Sequence, residues 1–419
     1  MKKKIRSIFK LSEGSYIPRL ILFAAALALA VTAFTIGVTR IGRKEAGIHT
    51  VEYLETGEEA VLYRSGVTLQ YNFSGSSSDI RTEMNAIKSV YSSVLGQAYR
   101  TLDPDELYSG YTNLAAISQH PGEILTVEED LYKVLKDAVK KSEEGQGYSL
   151  YDGAYRKAWS EIVVLYDAKD FDPLTNQDSM ERLQRIREVG SKPDSVQLEF
   201  IDDETFQVRL NLSKEYVRMK AELELPDRIL DLGLLHDAYM MEMVRKRLED
   251  AGYHKTCLQS ESGLTMTGSD WPEGYYVFYS LSEGRIRESG RMPVGSNSAY
   301  CMLRRFAMSE DELGFYTLDA GGKTFYRNPY DNVLGDTGEP DPVYSAFTVS
   351  YAGDPVGAAY DCLKLFTCRL PDDLKERSAG ILSEAAGCSI NCNNTVWSED
   401  YEEERVYVFG SEPGKFLEP

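Results

Sequence analysis

Two periods of hydrophobic and polar positions run along this chain. From Val67 to Phe73, Val, Leu, Tyr and Phe alternate with Thr, Gln and Asn, the period of a half-buried strand. Val196-Leu198-Phe200 and Phe206-Val208-Leu210-Leu212 alternate in the same way around an Asp-Asp-Glu turn, and they predict a hairpin. Ile80 to Leu95 reads instead as a helix. Thr126 is expected to open another, its hydroxyl capping the first turn and Glu129 completing a capping box. Leu131, Val134, Leu135 and Ala138 then share one face. A tight turn, Asp231-Leu232-Gly233, leads into a third helix with an apolar stripe of Leu234, Leu235, Ala238, Met241 and Leu248. Arg245, Lys246 and Arg247 favour the negative end of its dipole, and Gly252 is placed to end it. Tyr275 to Tyr279 reads as a buried strand, and Arg405 to Phe409 as a short one. Hairpins with intervening helices imply an α+β fold with mixed or antiparallel sheets and packed helices.

Leu20 to Val38 follows neither period. It is an uncharged, predominantly apolar run of 19 residues. As a helix it would be about 28 Å long, close to the hydrocarbon thickness of a bilayer. The heavier basic flank is N-terminal, so a single-pass anchor would leave the N-terminus cytoplasmic and the bulk of the chain outside. The rival reading is a cleavable signal peptide; the run is long for one and no clear small-residue cleavage site follows. The expected layout is a basic cytoplasmic tail over 1–19, a transmembrane anchor over 20–39 and a linker over 40–60. A main domain follows over 61–390, then an acidic tail over 391–419.

Charge sharpens this division. Residues 1–50 hold 9 Lys+Arg against 2 Asp+Glu, a net +7, which leaves 37 against 64, a net −27, for the rest. A domain that acidic repels nucleic acid, so no nucleic-acid partner is expected. The six cysteines permit disulfides, with Cys388 and Cys392 the best candidate pair, but their density favours buried thiols. No CxxC or HxxxH occurs, and P-loop, GxSxG, HExxH and Rossmann fingerprints are absent.

Several segments, in order over about 300 residues, resemble the ApbE-type flavin transferases (FAD:protein FMN transferases). Residues 83–108 look like that family's helix and the loop after it, with Glu106 where a serine is usual. GYSLYDGAYRKAW at 147–159 is similar to GaFDpTvgpLvrlW, with Tyr151-Asp152 for Phe-Asp and Trp159 retained. LDLGLLHDAY from Leu230 resembles lDLGaiaKGy, with Asp237-Ala238 where the family places Lys-Gly. Glu261-Ser262-Gly263 falls near a family GGD. AMSEDELGFY at 307–316 keeps Ser309, and FYRNPYDN at 325–332 keeps Pro329 while Asn328 replaces an Asp. In the family's metal segment, aDalaT, one register keeps Asp361 and puts Leu365 at the Thr. The other puts Ala358 and Cys362 at the two positions.

The resemblance implies an ApbE-like domain (T-fold-related) over 61–390 that uses FAD and Mg²⁺ to move FMN onto a Ser or Thr of an extracytoplasmic redox protein. It implies Tyr151, Asp152, Asp231, Gly233 and Ser309 as cofactor-binding residues and Asp361 as the metal ligand. No catalytic residue is assigned. Mg²⁺ wants hard oxygen ligands and the pyrophosphate wants a nearby cation, so an Asp at position 237 opposes the chemistry. Each candidate also has a plain structural role: Asp231 as a helix cap, Asp361 as a helix-surface carboxylate, Trp159 and Tyr151 as core. The alternative function is therefore a catalytically inactive, membrane-anchored binding or scaffold domain on the same fold.

Overall fold

The computed structural model describes residues 45–54, 59–145, 147–163, 167–282, 285–305, 314–330, 346–368, 371–384, 388–392, 395–398, 407–409 and 416–417. The expected anchor over 20–39 lies outside them, and no helix among the described residues is long and apolar enough to cross a membrane. By its contacts the chain divides into a small unit, residues 1–47 with 74–83, and a large unit holding everything else. In the small unit, the Ser76 hydroxyl donates to Asp79 Oδ2 (2.6 Å) where the Ser77–Leu102 helix begins.

The large unit is built on a ten-stranded sheet. Its strands lie in chain order: Gly47–Val51, Val67–Phe73, Thr256–Ser260, Leu264–Thr267, Ser298–Arg304, Ala346–Ala352, Ser389–Cys392, Thr395–Ser398, Tyr407–Phe409 and Phe416–Leu417. From Val67–Phe73 onward every neighbouring pair is antiparallel. The period-two pattern of Val67–Phe73 appears directly as burial of alternate residues: Val67, Leu69, Tyr71 and Phe73 are inside. The described parts of 391–419 continue this sheet, pairing Asn391 with Val396 and Val396 with Tyr407. The side chain of Cys392 lies outside the described residues, and so does its expected pairing with Cys388. Cys257, Cys301, Cys362 and Cys368 are buried thiols.

Two helices cover one face of the sheet. Leu235–Asp250 packs on Thr256–Ser260, Pro355–Phe366 packs on Ser298–Arg304 and Ala346–Ala352, and the two helices pack on each other. Between them and the sheet lie Met240, Met241, Val244 and Leu248 with Leu258, Leu303, Phe347, Val349 and Leu365, all fully or nearly fully buried. Removing this apolar area from water at about 25 cal/mol per Å² is the main stabilising term for the layer.

The expected hairpin is present, with Val196–Asp202 pairing Gln207–Leu212 and a register shift between Phe200 and Asp202. Phe206 is not in the strand: it takes a positive φ of 53° in the turn. Thr126 does not cap a helix. It pairs with Gln207 as the end of a third strand, Ile124–Thr126, and the helix starts at Glu129 with no side-chain cap at Glu128. The ladder took the residue that the local pattern assigned to a cap.

Candidate functional site

A cleft of about 420 Å³ opens in the large unit. One wall is the Asp231–Gly233 turn and the start of the Leu235–Asp250 helix. Others come from Asp103 to Asp105 after the Ser77–Leu102 helix, from Arg156 and Trp159 on the Gly153–Val163 helix, from Ser262, and from Pro329-Tyr330. These five separate stretches of sequence thus meet, each from a segment that carries the resemblance.

The turn is built by a carboxylate. Asp231 Oδ1 accepts from the backbone N–H of Gly233 (2.7 Å), and Gly233 takes φ +54°. A Cβ there would sit 2.7 Å from Arg156 Cζ, so glycine is required both by the backbone and by the packed guanidinium. Asp231 Oδ2 accepts two bonds from Arg228, at 3.0 and 2.7 Å. Arg156 Nη1 lies 3.7 Å from Oδ1 and donates to the Asp231 carbonyl at 2.6 Å. Burial alone would raise the Asp231 carboxyl, but Arg228, Arg156 and the Gly233 N–H hold it below the usual carboxylate range. Arg228 also donates to Asp105 (2.6 Å). The sequence reading missed both arginines; Arg228, three residues before Asp231 in an apolar stretch, was the available signal.

The remaining acids of the cleft are also engaged. Asp103 accepts from the N–H groups of Asp105 and Glu106 (2.8 and 3.2 Å) and from the Tyr108 hydroxyl (2.6 Å). Asp237, at the position where the resemblance expects a lysine, is bonded to His236 Nδ1 (3.0 Å) and accepts from Ser262 Oγ (2.6 Å). Burial opposes its ionisation, but the bonds from His236 and Ser262 hold its carboxyl low. Trp159 supports the wall from behind. Its ring faces the Arg327 guanidinium (5.6 Å), which is bidentate to buried Asp172 (2.8 and 3.0 Å).

Asp361, the expected metal ligand, is turned to other work. It accepts from the Tyr351 hydroxyl and pairs with Lys364, one turn along its own helix, at 2.9 Å. The residue that this helix contributes to the cleft is Leu363. At about 100° per residue, Leu363 and Asp361 point to nearly opposite sides. Neither sequence register placed Leu363 at the site.

Tyr151 and Asp152 lie elsewhere. They line a second cavity of about 460 Å³ with Tyr148, Tyr155, Tyr216 and Arg187. Arg156 spans the partition: its Nη1 bonds Asp231 on the cleft side, and its Nη2 donates to the carbonyl of Ser149, which lines the second cavity (2.9 Å). Ser309 lies outside the described residues. Of the six expected site residues, the cleft therefore gathers Asp231 and Gly233.

These groups do not form a home for Mg²⁺ and a pyrophosphate. Asp231 and Asp361 are satisfied by the chain's own cations, the helix turns Leu363 to the cleft, and Asp237 puts negative charge where the phosphates would need positive. Among the described residues, no three His, Cys, Asp or Glu side chains converge as a metal-binding group.

No protein-family model matches the chain, and no curated protein matches it. Solved structures do. The ApbE protein of Thermotoga maritima superposes with a TM-score of 0.52 at 12% identity, over 80% of this chain and 94% of that one. The flavin transferase ApbE of Vibrio cholerae gives 0.48 at 11% identity, over 83% and 93%. The apo flavinyl transferase ApbE of Pseudomonas stutzeri gives 0.45 at 11%, over 85% and 96%. Identity at this level speaks for architecture alone. The α+β domain described above, with its Asp-Leu-Gly turn at the mouth of a cleft, has the ApbE-like, flavin-transferase-like fold.

Proposed function

We propose that this chain is a catalytically inactive, ApbE-like binding or scaffold domain, tethered to the membrane by residues 20–39 with its main domain outside the cytoplasm. One observation carries the reading: two of the three carboxylates at the expected cofactor and metal positions are neutralised internally, Asp231 by Arg228 and Arg156, Asp361 by Lys364. A metal would have to compete with those cations for the carboxylates, at a cost of several kcal/mol. The second reading, FMN transfer from FAD to an extracytoplasmic flavoprotein, is favoured by the fold.

The two readings separate in one experiment. Purified full-length protein in detergent is titrated with FAD, with and without Mg²⁺, and then incubated with FAD, Mg²⁺ and a Ser/Thr target peptide. The expected outcome is no flavinylated peptide by mass spectrometry and no Mg²⁺-dependent gain in flavin affinity. Mg²⁺-dependent FMN transfer that Asp361→Ala abolishes would establish the transferase instead.

A further inference from the structure

Two of the buried thiols meet behind the main cleft. Cys301 lies on the Ser298–Arg304 strand, with Ala299 and Leu303 on the same face, and all three are fully buried. Cys362 lies on the Pro355–Phe366 helix, which packs on this strand and on Ala346–Ala352. Its thiol donates to the Phe347 carbonyl (3.4 Å), and Phe347 is the ladder partner of Leu303, two residues from Cys301. The Cys301 thiol in turn hydrogen-bonds Cys362. Helix and sheet thus put one sulfur against the other, with sixty residues of chain between them.

Cys257 and Cys368 are also buried, but neither meets another thiol among the described residues. A buried thiol is a weak hydrogen-bond donor and packs as a small apolar group, so core packing alone does not call for two in contact. Contact matters to one reaction: a disulfide needs two cysteines whose side chains already face each other. The pair also borders the cleft. Leu363, the residue after Cys362, lines it, and Tyr330, another wall residue, lies within electrostatic range of both sulfurs. Joining the sulfurs fixes the helix that carries Leu363 to the sheet.

We propose that Cys301 and Cys362 are a redox-sensitive staple: they close to a disulfide when the chain folds in the presence of a small-molecule disulfide such as oxidised glutathione, and the bond ties the Pro355–Phe366 helix to the sheet. One cysteine thiolate attacks the oxidant, forms a mixed disulfide and expels one glutathione thiolate. The other cysteine then attacks the protein sulfur of that mixed disulfide and expels the second glutathione. Two protein thiols are oxidised to one disulfide, one glutathione disulfide is reduced to two thiols, and the two protons pass to the released thiolates. Burial shields both sulfurs in the folded chain and pushes the Cys301 thiol up, so the exchange belongs to folding or to a local opening of the helix. The inference stands on the contact between the two sulfurs, whichever reading of the main cleft holds; the placement outside the cytoplasm proposed above would supply an oxidising setting.

The test uses full-length protein in detergent, unfolded in urea and refolded in buffers that run from reduced to oxidised glutathione. Free thiols are then alkylated and the digest is read by mass spectrometry. The expected result is a peptide pair cross-linked through Cys301 and Cys362 as the main disulfide product in the oxidised buffers, absent in the reduced ones. The bond closes a loop of about sixty residues, so the oxidised protein should melt about 5 °C or more above the reduced protein, and a reductant should reverse the shift. Cys362→Ala, shown to be folded by circular dichroism, should lose the shift, whereas Cys257→Ala should keep it. The cross-link in the wild-type chain is the readout that needs no variant. Recovery of Cys301 and Cys362 as alkylated thiols or glutathione adducts, their joining to other cysteines, a cross-link without a rise in melting temperature, or a rise that survives Cys362→Ala overturns the inference.

Discussion

The two cavities sit on either side of Arg156, and they treat their acids in opposite ways. In the main cleft, Asp103, Asp231 and Asp237 each have two or more partners supplied by the chain. In the second cavity, Asp152 has no side-chain hydrogen bond or ion pair among the described residues, although Arg156 and Arg187 act on it through space. The same fold thus uses some recessed carboxylates as struts and leaves one with unfilled capacity. The main cleft is held together electrostatically by the chain's own cations and hydrogen-bond donors, and Asp152 lies on the other side of Arg156.

The largest expected effect breaks the cleft side of this comparison. Asp231→Ala removes the carboxylate shared by Arg228 and Arg156 and the acceptor of the Gly233 N–H, and should cost about 3–5 kcal/mol in urea or thermal unfolding. A cost below about 1 kcal/mol would show that Asp231 is not a strut. Asp361→Ala comes next. It leaves the Tyr351 hydroxyl and Lys364 without their acceptor and should cost about 1–3 kcal/mol. Mg²⁺ should not move the melting temperature of the wild-type protein; a Mg²⁺-dependent rise that is lost in Asp361→Ala would mean that the ion displaces Lys364.

Titration sharpens the contrast further. Carbon-detected NMR of the carboxyl groups should place Asp231 below, and Asp152 above, the usual aspartate value of about 3.9. The two then act on stability with opposite sign. Asp231 contributes stability that is present above about pH 3.9 and lost as pH falls through its lower folded value. Asp152 contributes stability that is present below about pH 3.9 and lost as pH rises through its raised folded value. A shift of both in one direction would remove the distinction between the cavities. The smallest effect follows: Asp152→Asn at neutral pH should leave unfolding within about 0.5 kcal/mol of wild type, or slightly stabilise it, since no partner is lost.

Much of the fold was legible because it is written in local periods. The alternation over Val67–Phe73 and the hairpin over 196–212 came out as strands, and Leu235–Asp250 as a helix closed near Gly252, which takes φ 89°. The Asp231-Leu232-Gly233 turn was legible for the same reason: a short acid, a glycine and a helix form a unit within three residues. The Thr126 cap was not, because Gln207 competes for its backbone from 81 residues away. Tyr151 and Asp152 follow the family's segment in sequence and still face another cavity, because the Gly153–Val163 helix turns Arg156, not them, toward Asp231.

Sequence by itself determined the α+β pattern, the Asp-Leu-Gly turn and the acidic balance of everything after residue 50, since propensity, turn chemistry and net charge depend on neighbours along the chain. Only the tertiary structure decided which carboxylates keep free lone pairs. Arg156 reaches Asp231 across 75 residues, Tyr351 and Lys364 claim Asp361, and Leu363 takes its place at the cleft. Whether an acid is a ligand or a strut depends on which cation stands within a few ångströms of it, and that distance is set by packing.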